Sequence, residues 1–184
     1  QDELRKNAIV YINSDSNSRG FFDGGGSQTL EKFVNQVVRD VEDPEKKISV
    51  QERARAKQII EGSPEERKEA HDREDLRMSA LGSGSDYTPF LQFAGIASLN
   101  IGYGGEDEYG QYHSIYDTFD HYTKFMDPTF MYGVTLAKTG GRIALRLANA
   151  ELLPFEFTGF SDNISKYVKG LQDQSDKMRD DNLE

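Results

Sequence analysis

Leu30, Phe33, Val34, Val37, Val38 and Val41 recur at helical spacing, so six apolar side chains share one face of an α-helix. Such a face has to be covered by a larger apolar surface. Two β-rich runs can supply it. Ala8-Ile9-Val10-Tyr11-Ile12 and the stretch from Ile96 to Ile101 both read as buried strands. The chain therefore mixes helix and strand. The helix begins after Ser27, read as its cap, and stops before Asp43-Pro44, because a residue preceding proline is pushed out of the helical region. Gly24-Gly25-Gly26 reads as a flexible connector. No Lys-Ser/Thr pair follows it, so it is not a phosphate-binding loop.

Downstream, residues 45–77 are dominated by charge. Ser49 with Glu52, and Ser63-Pro64 with Glu66, are two capping-box starts, which predict short solvated helices in an excursion from the core. Met78 to Leu81 reads as a short strand, followed by the small-residue loop Gly82-Ser83-Gly84-Ser85-Asp86 and a helical stretch over 86–94. Asp127-Pro128 starts the longest helix signal, which runs to about Ala150 with Phe130, Met131, Val134, Ala137, Ile143, Ala144, Leu147 and Ala148 on its apolar face. Gly140-Gly141 inside it are read as close packing against the sheet. A last stripe of Ile164, Tyr167, Val168, Leu171 and Met178 has no partner after it in the sequence.

Composition narrows the function. Hydrophobic residues are 36% of 184, low for a self-contained globule, so part of the chain is expected to be solvated or to pack on something outside it. A net charge of -10 argues against nucleic-acid partners, which require a basic footprint. With no cysteine, any metal must be held by His, Asp or Glu. Asn163-Ile164-Ser165 matches a glycosylation triplet, a pattern common by chance.

Chemistry concentrates in two places. Asp15 lies in a polar loop just past the strand over 8–12, where open α/β sheets build their sites. His113, one of three histidines, sits between Tyr112 and Tyr116, after the glycine-rich acidic loop Gly102 to Gly110 and before the long helix. The carboxylates Glu106, Asp107 and Glu108 of that loop read as solvated. His71 stands among charges and carries no functional weight.

Three separated segments, Val10-Tyr11-Ile12-Asn13-Ser14-Asp15, Leu81-Gly82-Ser83-Gly84-Ser85-Asp86 and Tyr112-His113-Ser114-Ile115-Tyr116-Asp117-Thr118, resemble the glutamate carboxypeptidase II family, which includes prostate-specific membrane antigen and the transferrin receptors. The likeness continues through Phe125 to Pro128 and Leu147 to Phe155. It implies the C-terminal part of a zinc-peptidase-like α/β/α sandwich over 1–157, and the first helix of a helical dimerisation domain over 158–184. It also implies two zinc ions, with Asp15 a ligand to one and His113 a ligand to the other. Tyr112 takes the place of a tyrosine that polarises the scissile carbonyl, and Gly84, Ser85 and Asn100 line the substrate cleft.

The implied partners are a peptide substrate, the rest of the catalytic domain and a second subunit. The implied setting is secretory, vacuolar or extracellular, with a membrane-anchored parent possible. Two departures stand out: Asn100 and Gly102 occupy positions where acidic-dipeptide cleavers carry arginines. The family's remaining ligands lie upstream of the Asp15 segment, so this chain alone is expected to be inactive. The alternative is a non-catalytic, transferrin-receptor-like binding domain.

Overall fold

The computed structural model describes residues 2–107 and 110–181. In chain order the elements begin with α1 (Asp2–Asn7), β1 (Val10–Asn13), β2 (Gly20–Gly26) and α2 (Glu31–Arg39), the last preceded by a short 3-10 turn at Gln28–Leu30. Then come α3 (Val50–Glu61), α4 (Pro64–Asp72), a π-helical segment at Pro89–Ala94 and β3 (Ala97–Gly105). The chain continues with α5 (Phe119–His121), a second π-helical segment at Tyr122–Met126, α6 (Met131–Ala148) and α7 (Thr158–Asp181). β3 lies at the centre of a three-stranded sheet of order β1-β3-β2, parallel to β1 and antiparallel to β2. The fold is α/β.

The stripe from Leu30 to Val41 is buried, with no member more than 5% exposed, although α2 ends at Arg39 and Val41 lies in the bend beyond it. It packs with Leu99, Ile101 and Tyr103 of β3 and with Tyr132, Ile143 and Leu147 of α6 in one core. Ser27 does not cap through its side chain. Its Oγ accepts the Ser98 amide at 3.1 Å, tying the helix entry to the sheet.

Gly24 to Gly26 is not a connector. All three belong to β2, paired with Ile101, Asn100 and Leu99. A Cβ on Gly26 would lie 2.6 Å from Leu99 Cδ2 and 2.8 Å from the Ser98 carbonyl oxygen, so the residue is needed for closeness rather than for flexibility. β3 likewise runs on to Gly105, absorbing the first part of the expected loop. At Gly102 a Cβ would stand 2.7 Å from the Ser16 carbonyl oxygen, so the loop after β1 rests directly on the strand.

Both capping boxes form, at Ser49–Glu52 and Ser63–Glu66. The stretch they open is only partly solvated. Val50, Gln51, Arg53 and Ala54 of α3 are buried, whereas α4 buries Ala70 alone. Met78 to Leu81 forms no named strand, although Ser79 makes a single parallel bridge to Gly25.

α6 starts later than the Asp127-Pro128 signal. Phe130 sits in the left-handed region at φ 57°, and Asp127 is buried, with Oδ2 accepting the Gly133 amide at 2.8 Å. The aspartate therefore still satisfies one of the helix's orphan donors, from outside the helix. The buried face is Tyr132, Thr135, Thr139, Ile143 and Leu147, while Phe130, Met131 and Val134 are exposed. Apolar periodicity misplaced this face because three of its five members are polar and satisfied inside. Thr139 Oγ1 is 2.8 Å from the Tyr103 hydroxyl, Thr135 Oγ1 donates to the Met131 carbonyl at 2.7 Å, and Tyr132 meets Arg53. Gly140 meets Ile101 only at an ordinary 3.7 Å and Gly141 faces open space, so neither is demanded by packing.

Along α7 only Asn163 is buried, and Ile164, Tyr167, Val168, Leu171 and Met178 are exposed. Asn163 donates to the Gly159 carbonyl and accepts from Arg77 Nη1 at 2.8 Å, so its amide is engaged rather than presented for glycosylation. No helix among the described residues is long and apolar enough to cross a membrane.

Candidate metal-ligand and substrate site

β1 ends at Asn13, and its register partner across the parallel pair is Asn100. Alternation along β3 buries Leu99 and Ile101 in the core and turns Asn100 to the other face. On that face Asn13 Nδ2 donates to Asn100 Oδ1 at 3.1 Å and to Asp15 Oδ1 at 2.8 Å. Asn100 Nδ2 donates to Asp15 Oδ2 at 2.8 Å, and the Ser85 hydroxyl donates to Asp15 Oδ1. Asn13 Nδ2 also reaches Ser85 Oγ at 3.1 Å. Asp15, Ser85 and Asn100 are therefore brought together at the carboxyl end of β1. Asn13 joins them, a role visible only once the strand register is known.

The Ser85 hydroxyl, opposed by partial desolvation and reinforced by the Asn13 and Asn100 amides, holds the Asp15 carboxyl below its ordinary value of 3.8. The side chain is exposed and stays ionised. An ionised carboxylate has about four lone-pair directions. Three donors from this chain occupy three of them, which leaves room for one more partner. The loop bearing Ser85 is seated by the neighbouring π-helical segment, where Phe90 stacks on Tyr11 of β1 with ring centroids 3.9 Å apart. Gly84, at φ 111°, has open space where a side chain would be. A separate cleft of about 480 Å³ opens beside the loop between β1 and β2, lined in part by Ser16, Ser18, Gly102 and Gly104, and no residue of the Gly84–Ser85 loop lines it.

Tyr112 and His113 lie on a separate turn. Ser114 N donates to the Gln111 carbonyl at 2.9 Å, and Tyr116 N donates to Ser114 Oγ at 3.1 Å. His113 takes φ 59°, a left-handed conformation uncommon for a non-glycine residue and one in which histidine is enriched. Its ring stacks on Tyr112 with centroids 3.8 Å apart, and both side chains are exposed. His113 makes no hydrogen bond or ion pair to Asp15.

Carboxylate and imidazole donors suit zinc chemically. Their number does not complete a site, since no group of three or more His, Cys, Asp or Glu could hold a metal ion among the described residues. Of the acidic loop, Glu106 is far from solvated. Its side chain is 21% exposed and meets the guanidinium groups of Arg53 and Arg19. Glu108 lies outside the described residues.

No protein-family model matches the chain. Among curated proteins it is 30% identical over 176 residues to a probable glutamate carboxypeptidase of Arabidopsis thaliana, covering 95% of this chain and 24% of that protein. It is 29% identical over 177 residues to a probable glutamate carboxypeptidase of Zea mays, covering 92% and 22%. It is 34% identical over 102 residues to the aminopeptidase NAALADL1 of Rattus norvegicus, covering 52% and 14%. The chain thus spans about a quarter or less of the length of the curated relatives it matches.

Proposed function

Because the chain belongs to the glutamate carboxypeptidase family, we propose that it supplies part of the catalytic domain of a two-zinc metallopeptidase acting on peptides. The observation that carries the reading is the Asp15 carboxylate, fixed at the end of β1 by Ser85, Asn13 and Asn100 and kept ionised. A metal ligand is needed in that state. Asp15 would hold one zinc and His113 the other, the remaining ligands coming from residues outside these 184. When bound, paired zinc ions lower the pKa of a bound water and stabilise the oxyanion of peptide hydrolysis.

The chain's own residues would orient rather than initiate. Ser85 and Asn100 hold the Asp15 carboxylate in one rotamer. Tyr112, exposed beside His113, offers a hydroxyl toward a substrate carbonyl. Gly84 leaves open space beside its backbone, next to Ser85. Residues 1–157 would form the catalytic part, and residues 158–184 the start of a helical domain through which two subunits pair. The setting would be secretory, vacuolar or extracellular.

Zinc titration of the chain tests this reading. Weak zinc binding is expected, because structural and catalytic zinc sites use three or four protein ligands. Asp15→Asn and His113→Ala should each weaken it further, and peptide hydrolysis by the chain alone should be poor. Zinc affinity unchanged in both variants would overturn the assignment. Ordinary turnover by the chain alone, abolished by His113→Ala, would show that the general base lies within it.

A further inference from the structure

The loop carrying Asp15 and the turn carrying Tyr112 and His113 are tied together by one residue. Arg19 follows Asp15 in the loop between β1 and β2. Its backbone N–H donates to the Met126 carbonyl at 2.9 Å. Its Nε lies 2.6 Å from Glu45 Oε1 and 2.7 Å from Glu106 Oε2. Glu106 and Met126 flank the stretch that bears Tyr112 and His113. Arg19 therefore grips both flanks, one with its main chain and the other with its guanidinium. The preceding amide, Ser18 N, donates to the Tyr103 carbonyl at 2.8 Å and fixes the loop to β3. Gln111 Nε2 adds a contact to Met126 Sδ at 3.2 Å.

The far side of Glu106 is held from the interior. Arg53, whose side chain is 5% exposed, meets Glu106 Oε1 with Nη2. With Nη1 it bonds Asp43 Oδ2 at 2.7 Å and the Tyr132 hydroxyl. Its guanidinium lies 4.7 Å from the Phe21 ring centroid. An isolated surface ion pair holds little. Here Glu106 is shared by two guanidiniums, one of them buried, so the loop end is anchored to α3 and α6 rather than to water.

We infer that Arg19 and Glu106 are positioning residues that hold the Asp15 loop and the His113 turn in fixed relation to each other. This rests on the zinc reading for what the two segments do together, while the clamp itself stands on the contacts above. Neither residue was singled out by sequence motif.

The test is NMR-detected hydrogen exchange on the full chain, read at the amides of Ser114, Tyr116 and Asp117, which are hydrogen-bonded within the turn. Zinc titration of the same samples accompanies it. Arg19→Gln and Glu106→Gln should speed exchange at these amides about tenfold, the effect of losing about 1.4 kcal/mol of local protection. Amides of α6 and of β3 before Gly102 should be unchanged, and Arg19→Lys should recover most of the protection. Unchanged exchange in the turn overturns the clamp, as does uniform acceleration through α6 and β3, which would mark a merely structural role. If instead Asp15→Asn leaves zinc affinity unaltered, the zinc reading fails, and the exchange data still decide the clamp on their own.

Discussion

Asn100 Nδ2 donates to Asp15 Oδ2 at 2.8 Å, joining residues 85 positions apart at the carboxyl end of one strand and the middle of another. That bond turns a polar residue of β3 into a holder for a carboxylate. It also commits the Asn100 side-chain amide to Asp15.

Replacing Asn100 with alanine should raise the Asp15 pKa toward its ordinary value of 3.8. The folded value is depressed, so the associated stabilisation is complete above the unfolded value and is lost as pH falls through the folded one. Carbon-detected NMR titration of the Asp15 carboxyl checks this. The Ser85→Ala shift should be the larger, since the hydroxyl is the strongest of the depressing contacts. A smaller shift in Ser85→Ala than in Asn100→Ala would reverse that order.

Gly102→Ala should push the Asp15 loop away from β3, because the new Cβ would meet the Ser16 carbonyl oxygen at 2.7 Å. Overpacking of this kind costs about 1–3 kcal/mol. Urea unfolding would report the cost, and amide shifts of Ser16 and Asn17 would report the displacement. A neutral effect on both would mean that the loop yields freely.

Arg53→Met should be more damaging, at about 3–5 kcal/mol, because it leaves the Asp43 carboxylate buried without its cation. Tyr132→Phe removes one hydrogen-bond partner and should cost about 1–2 kcal/mol. Burial and the nearby Asp43 hold the Tyr132 phenol up at about 12, so it stays protonated at neutral pH. Chemical denaturation of both variants decides the order, and equal losses would show that the ion pair is not the dominant contact.

Amides of α7 beyond Val168 should exchange faster than those of α6 in a dilute sample. Their helix buries only Asn163, near its start, where Lys166 also pairs with Glu69 at 2.9 Å. Protection equal to that of α6 would reveal cover over the Ile164 to Leu171 stripe.

In the proposed peptidase, selectivity should not favour an acidic residue before the scissile bond. Charge-assisted hydrogen bonds from guanidinium groups are about twice as strong as neutral ones. Asn100 is neutral and already committed to Asp15, and Gly102 has no room for a side chain under Ser16. Catalytic efficiencies on dipeptides with Glu or Ala at that position should be comparable. A strong preference for Glu that survives moderate salt would place a cation from elsewhere in the pocket.

Local pattern determined much of this molecule. The stripe from Leu30 to Val41, the strand at 97–101, both capping boxes and the exposed α7 stripe follow from periodicity and from side chains acting within a few residues, whereas the run at 8–12 is strand only from Val10, half-buried, with Ile9 exposed. The family likeness singled out Asp15, Ser85 and Asn100 as site residues, and the fold brings those three together. Tertiary structure alone decided the rest. Gly24 to Gly26 became strand because β3 needed a close neighbour, and the buried face of α6 was set by hydrogen bonds from Tyr103 and Arg53. Glu106 was drawn out of solvent by two arginines far from it in sequence. A charged or polar residue is buried only where a distant partner replaces its water, and no local pattern records where that partner will be.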